Sequence, residues 1–506
     1  LLGQSRSEVS GNKSSANCNN LQTTLQSDNW LVLIDSAFNI LWDQTFGGEL
    51  NEAEVLSNFK TQNNEVVFTT SSISDISCEK SENNRSYPLS NNSDYWIVKI
   101  DSNGNKIWDK TYGSVGEDIN SYIVELTDGN YLVSGNGGDL GTSGDKTVNN
   151  WGGLDFWVVK MDSSGNKIWD NVYGGYGNDY SYYNANKIGH WIISCENGSF
   201  LLGGTSDSGI GGDISDPGYG MLDLWIIKVD SSGNKLWDKK YGGTNHEWFN
   251  AIFKTSNGFI LAATTKSPPS GTISQAQIGD SDIWIAKLDT LGNIEWEKRY
   301  GGTMWEEPVS IKESGDGGYI ISAITESPPG FDISEPPYGS IDYWIFKTDS
   351  VGNKIWDKRF GGPGQNWVSN FIIMSDSSIY LAGYADSGTS AVKTDPGYGG
   401  SDYWVVHFKY SDSTVSVNDF EEHLDLTLYP NPASDEVSIS WYLSKPEDAV
   451  VEIYNNLGQL IHSAFKEKSY AGRNETTIST AAFPKGIYHL RFSVAGNIVT
   501  KKLVKM

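Results

Sequence analysis

Short runs in which apolar and polar residues alternate dominate the chain, and no long stretch keeps a helical period. One run reads Asp94-Tyr95-Trp96-Ile97-Val98-Lys99-Ile100-Asp101. A polar turn, Ser102-Asn103-Gly104-Asn105, follows, and then a second run, Lys106-Ile107-Trp108-Asp109-Lys110-Thr111-Tyr112-Gly113. Alternation on both sides of a Gly-containing turn predicts a β-hairpin. The first run begins at Asn29 and recurs at Asp94, Asp155, Asp223, Asp282, Asp342 and Asp402. The second carries its tryptophan at Trp42, Trp108, Trp169, Trp237, Trp296 and Trp356. Two more strands complete each unit, as in residues 121–127 and 130–135. Asp128-Gly129, Asn197-Gly198, Asn257-Gly258 and Asp316-Gly317 sit between such strands and favour tight turns.

Four strands repeated at a period of roughly 60 residues predict an all-β fold, a β-propeller. The tryptophans are expected to fill the space between blades. There are seven copies of the first strand but six of each other type, so six blades are favoured, with seven as the alternative. Closure is expected from pairing of the N- and C-terminal strands, which hides the sheet edges. The predicted organisation is an N-terminal segment (1–27), the propeller (28–410), a polar acidic linker (411–425) and a small C-terminal domain (426–506). Alternation through that last domain predicts an immunoglobulin-like β-sandwich.

Composition narrows the function. The formal charge is −26, and residues 427–506 hold nine Lys/Arg against seven Asp/Glu, so the propeller side carries the whole acidic excess. Such a surface repels nucleic acid and anionic lipid and suits cations or neutral glycans. No apolar run is long enough for a membrane-spanning helix. Cys18, Cys78 and Cys195 form no metal pattern. Two readings stay open for them: a Cys18–Cys78 disulfide in a secreted chain, or three unpaired thiols. No cofactor or metal is expected.

The turn Asp-Ser-x-Gly-Asn-x-x-Trp resembles the Asp-box hairpin of several propeller families, with one extra residue, and the strand order resembles a kelch blade. Asp101, Asp162, Asp230, Asp289 and Asp349 are therefore expected to brace their turns. On the opposite face, a carboxylate follows the Tyr-Gly-Gly motif in five units: Glu52, Asp118, Asp179, Glu247 and Glu306, with Asn366 in the sixth. Trp248, Trp305 and Trp367 are beside these positions. Trp151 and the loop tyrosines Tyr219, Tyr338 and Tyr398 add to the same face. Aromatics with carboxylates are a means of holding sugars or cations. A residue repeated in every blade equally serves as a brace, so both readings apply to the carboxylates.

No catalytic set emerges. Arginines occur only at positions 6, 85, 299, 359, 473 and 491, too few and too scattered for a sialidase-like triad. The six histidines do not cluster, and no Gly-x-Ser-x-Gly elbow occurs. A non-catalytic binding, adhesion or structural role is the first reading. An extracellular polysaccharide hydrolase or lyase is the alternative.

The tail contains Leu428-Tyr429-Pro430-Asn431-Pro432, the hairpin Asn455-Asn456-Leu457-Gly458-Gln459, the strand Pro484-Lys485-Gly486-Ile487-Tyr488, and a terminal Lys501-Lys502-Leu503-Val504-Lys505. In order and spacing these resemble the type A C-terminal sorting domain of the type IX secretion system of Bacteroidota. The resemblance implies passage through the periplasm, partnership with an outer-membrane translocon and a shuttle protein, and release or attachment at the outer-membrane surface. It also implies O-glycosylation at Asp-Ser/Thr followed by a small apolar residue or Thr, which here points to Ser36, Thr290, Ser350 and Ser413.

Overall fold

A computed structural model describes the chain except residues 8, 10–11, 19–26, 36–37, 54, 56, 62, 87–91, 139, 181–191, 376, 387, 391, 395–396, 398, 411–425, 444–446, 456–458, 471 and 495–496. It has two compact units, Leu1–Lys409 and Tyr410–Met506.

The first unit is a β-propeller of antiparallel meanders. Blade 2 shows the plan: Ser57–Lys60, Val66–Ser72, Asp94–Ile100 and Lys106–Tyr112, each strand paired with the next. Blades 3, 5 and 6 repeat it, with third strands Asp155–Met161, Asp282–Leu288 and Asp342–Thr348. In blade 4 the first-strand place is held by Asp179–Tyr180 and Ile192–Ser194, and the third strand is Asp223–Val229. First strands of successive blades touch one another, which places them around the axis. The third strand of each of blades 2 to 6 is buried almost throughout, because blades cover both of its faces.

The structure corrects the blade count. Among the described residues there are seven sheets in this unit, not six. Blade 1 has three strands, Leu2–Ser5, Asp28–Ile34 and Ile40–Phe46, and blade 7 has three, Asn366–Ile373, Ser378–Ala385 and Asp402–Lys409. Among the described residues the expected strand pairing between the chain's two ends does not occur. Instead Tyr403 of blade 7 stacks on Trp30 of blade 1 at 5.1 Å and donates its hydroxyl to the Trp30 carbonyl at 2.8 Å. The same ring pairing, with the planes tilted, joins Tyr343 to Trp404 and Tyr95 to Trp157, at ring distances of 4.8 and 5.1 Å. Closure therefore reuses the ordinary seam between blades. The N-terminal segment is part of this unit, with Leu2–Ser5 added to the first sheet. Cys18 and Cys78 are bonded, so the disulfide reading holds for them, while Cys195 is free and buried.

The tryptophans do fill the seams. Trp96, Trp157, Trp225, Trp284 and Trp344 are fully buried, and each indole N–H donates to an acid on the neighbouring outer strand, as Trp96 does to Asp109 at 3.0 Å. The outer-strand tryptophans reach the next blade's turn. A Cβ at Gly292 would stand 3.0 Å from the Trp237 ring, and its φ of +78° independently calls for glycine.

The second unit is a β-sandwich. A three-stranded sheet (Thr427–Tyr429, Glu436–Leu443, Gly472–Ser479) and a four-stranded sheet (Leu460–Ser469, Glu447–Asn455, Gly486–Val494, Asn497–Lys505) share a core of Val437, Ile439, Trp441, Val451, Ile453, Leu490 and Phe492. Along Gly486–Val494, buried Tyr488, Leu490 and Phe492 alternate with exposed Ile487 and His489, as a two-sheet core requires.

Candidate functional site

The five repeated carboxylates occupy equivalent places, and none reaches solvent: Glu52, Asp118, Asp179, Glu247 and Glu306 are each 0% exposed. Each braces a turn. Asp118 accepts the Ser114 N–H at 2.6 Å, Asp179 that of Gly175 at 2.7 Å, Glu247 that of Gly243 at 2.8 Å and Glu306 that of Gly302 at 2.7 Å. Glu52 accepts the hydroxyls of Ser72 and Ser74. Asn366 takes the same place and donates to the Gly362 carbonyl at 3.3 Å.

Each of these acids faces a second buried one that the sequence reading had not paired with it, the leading Asp of the preceding blade's third strand. At Gly301 a Cβ would lie 2.9 Å from both Asp282 and Glu306, so glycine there leaves room for the pair. Burial raises the Glu52 pKa to about 8, with Asp28 adding repulsion. Burial likewise raises Asp118 to about 7, with Asp94 adding to it, and Asp155 to about 7, with Asp179 adding to it. Glu247 and Glu306 are raised by burial and then by Asp223 and Asp282. A buried cation offsets the acids in blades 2 to 6: the loop lysines Lys80 and Lys146 in blades 2 and 3, and the outer-strand residues Lys240, Arg299 and Arg359 in blades 4, 5 and 6. Buried Lys13 and Lys393 hold the same loop place in blades 1 and 7. Arg359 Nε lies 2.7 Å from Asp342, with both side chains fully buried.

The aromatic candidates break this symmetry. Trp248 stacks on His246 at 5.5 Å, and Lys266 Nζ lies 5.4 Å from its ring centre. Trp305 and Trp367 meet at 6.0 Å, and Trp367 stacks on Tyr384, a residue sequence reading missed, at 6.4 Å. All three tryptophans are half-buried. Trp151 is 48% exposed, donates its indole N–H to Asp213 at 2.9 Å and lies over Gly212, while exposed Tyr176 lies over Gly211 beside it. Tyr219 and Tyr338 give their backbone N–H groups to Asp223 and Asp342, at 2.8 and 2.9 Å. Tyr398 lies outside the described residues. The turn aspartates brace as expected: Asp101 accepts the Asn103 and Asn105 N–H groups and the Asn105 side-chain amide, at 2.8, 2.9 and 2.9 Å. Thr290 and Ser350 are exposed on such turns, whereas Ser36 and Ser413 lie outside the described residues.

In the sandwich, the tail motifs clasp the last strand. Asn431 donates to the Lys502 carbonyl at 2.7 Å and accepts the Val504 N–H at 2.9 Å. Ala433, just beyond Pro432, donates its N–H to the Val504 carbonyl at 2.7 Å, and Lys505 Nζ reaches the Ser434 carbonyl. Tyr488 donates its hydroxyl to the Pro484 carbonyl at 2.7 Å, while Tyr429 is exposed. Pro430, Gly486 and Lys501 complete the described motif residues, and Gly458 lies outside them. A family described as a secretion system C-terminal sorting domain matches residues 427–506. These residues are a type IX secretion sorting domain. The chain that carries it is accordingly secreted or held at the cell surface. Among the described residues no helix is long and apolar enough to cross a membrane.

The chain as a whole has looser likenesses. The chain is 21% identical over 188 residues to the regulatory protein FlaEY of Caulobacter vibrioides, covering 35% of this chain and 20% of that protein's length. A Dyadobacter fermentans protein of unknown function is similar over 70% of this chain and 94% of its own, at 13% identity and a TM-score of 0.39. PorZ of Porphyromonas gingivalis, a surface component of the type IX secretion system, is similar over 95% of this chain and 69% of its own, at 10% identity and a TM-score of 0.25.

Proposed function

We propose that the exported propeller is a non-catalytic binding module that holds neutral glycans against an aromatic face, serving adhesion from an outer-membrane-attached position. The observation that supports this is the break in repeat symmetry. Directly after the brace carboxylate or its equivalent, blades 2 to 4 carry Ala53, Ile119 and Tyr180, whereas blades 5 and 7 carry Trp248 and Trp367. Directly before it, Asn51, Glu117 and Asn178 give way to Trp305 in blade 6. Half-buried indoles offer flat apolar faces to sugar rings, and the acidic charge of the chain disfavours anionic polymers. The sorting domain's partners are the secretion translocon and its shuttle. Thr290 and Ser350 are the exposed turn positions for O-glycans.

A glycan array probed with the full chain, and with Trp305→Ala/Trp367→Ala, tests the reading. Binding to neutral glycans that falls about tenfold or more in the variant is expected, the loss of stacking on two rings. Unchanged binding in the variant, or no binding by the native chain, would overturn it.

A further inference from the structure

We propose that the Cys18–Cys78 disulfide is the latch of the ring, a covalent form of a cap repeated at the blade seams, set once the chain reaches an oxidising compartment. The two cysteines are 60 residues apart, one repeat period, with Cα atoms 6.0 Å apart. Cys18 donates its backbone N–H to Asp28 at 2.6 Å. In the next blades Arg85, Trp151 and Tyr219 do the same for Asp94, Asp155 and Asp223. These four residues are therefore structural equivalents.

Their partners are equivalent too. Arg85 packs on Gly144 and Tyr219 on Gly271, where an added Cβ would lie 2.9 Å from the covering side chain. Trp151 covers Gly212 in the same way. Those glycines have φ values of +55°, +57° and +61°, and Cys78 holds the same left-handed conformation at +47°. The residue after each donates its N–H to the Tyr-Gly-Gly turn, or its equivalent, of the preceding blade: Glu79 to Gly47 at 3.2 Å, Asp145 to Gly113, Asp213 to Gly174 and Thr272 to Gly242, each at 2.8 Å. Glycine is the residue this backbone favours, exposed Phe331 takes the same place in blade 6 at φ +52°, and at Cys78 the bond to Cys18 stands where a packed side chain covers the glycines.

The location fits a latch. Among the described residues blade 1 has three strands and shares no sheet with blade 7, and its seam there includes Tyr403 stacked on Trp30. The backbone runs from each blade into the next but not from blade 7 to blade 1, so the first and last blades are the ones freest to open. The disulfide ties blade 1 to blade 2, which is complete. Thiols stay reduced in the cytoplasm and pair beyond it, and the sorting domain sends this chain beyond it. The thiol pair gives up two protons and two electrons to the oxidising thiol–disulfide machinery of that compartment as the S–S bond forms.

Hydrogen exchange read by mass spectrometry on the full chain tests this. Reducing the folded protein, or Cys78→Gly, should accelerate exchange in Asp28–Ile34 and Ile40–Phe46 about tenfold, leaving Asp282–Leu288 unchanged. Cys18→Trp/Cys78→Gly, which rebuilds the Trp151–Gly212 cap, should restore most of the protection. Unchanged exchange in blade 1, or acceleration spread evenly over all blades, would overturn the latch. A double variant that behaves like Cys78→Gly would overturn the equivalence with the other caps.

Discussion

Blades 1 to 3 and blades 4 to 6 meet the same electrostatic problem and solve it differently. Each of blades 1 to 6 buries an acid at its seam with the next. In blades 2 and 3 the counter-charge comes from the loop, as Lys80 and Lys146, with buried Lys13 in the same place in blade 1, and the outer strand carries Thr45, Thr111 and Val172. In blades 4 to 6 the loop position is Ile214, Ile273 or Ile333, and the outer strand supplies Lys240, Arg299 or Arg359. The exchange is reciprocal: where the loop has its lysine the outer strand has none at the matching position, and the reverse. A charge that moves between two elements yet never disappears is required by the buried carboxylates, not by either element. Solvent cannot reach those groups, so one unpaired carboxylate would cost far more than an exposed one.

The largest effect is expected where the pair is tightest. Arg359→Met leaves Asp342 buried without its cation and should cost about 3–5 kcal/mol, read as a fall in the denaturant midpoint. Ile333→Lys/Arg359→Thr transplants the blade 2 arrangement into blade 6. It should recover at least half of the loss. Failure to recover would mean that the two halves are not interchangeable solutions.

A smaller effect should appear in pH. Glu52, Asp118 and Asp155 are raised to about 8, 7 and 7, so the folded chain keeps protons that the unfolded chain has released. Their contribution is fully present below the unfolded carboxyl range near 4 and is lost as pH rises through the folded values. Lys80, lowered to about 8 by burial, adds stability with the opposite slope only above that pH. Asp43, lowered to about 2 by hydrogen bonds that outweigh its burial, loses its contribution in acid. The melting temperature should therefore be higher at pH 5.5 than at pH 8, by roughly 5 °C. Asp118→Asn copies the amide that Asn366 already supplies between blades 6 and 7 and should flatten that slope. An unchanged slope would remove Asp118 from the account.

The fold was legible because its signals are local and repeated. Strand alternation, the Asp-Ser-x-Gly-Asn turn and the tryptophan stripe each lie within one hairpin. The sorting domain was legible for the same reason, from Tyr429-Pro430-Asn431-Pro432 through Lys505. Blade number was not, because closure depends on Tyr403 meeting Trp30 across 373 residues. The carboxylates were found as a repeated set, but their burial was not visible, since Asp94 and Asp118 become neighbours only when blades stack. The Lys80/Thr111 against Ile273/Arg299 exchange was written in the repeats and is recognised once those positions are seen to face the same acids.

The smallest effect concerns the opposite face, where the two halves are alike. Asp101 and Asp289 each accept two backbone N–H groups and one asparagine amide in an exposed turn. Both carboxyls are held below their usual pKa chiefly by the side-chain bond from Asn105 or Asn293. Asp101→Ala and Asp289→Ala should each lower the denaturant midpoint only slightly and by the same amount, because water replaces the lost acceptor at exposed sites. Denaturant titration of the two variants should give matching midpoints. Unequal losses would mean that the difference between blades 1–3 and 4–6 extends beyond the buried cation to the turns, and that the division of the ring into two halves reaches deeper than charge compensation.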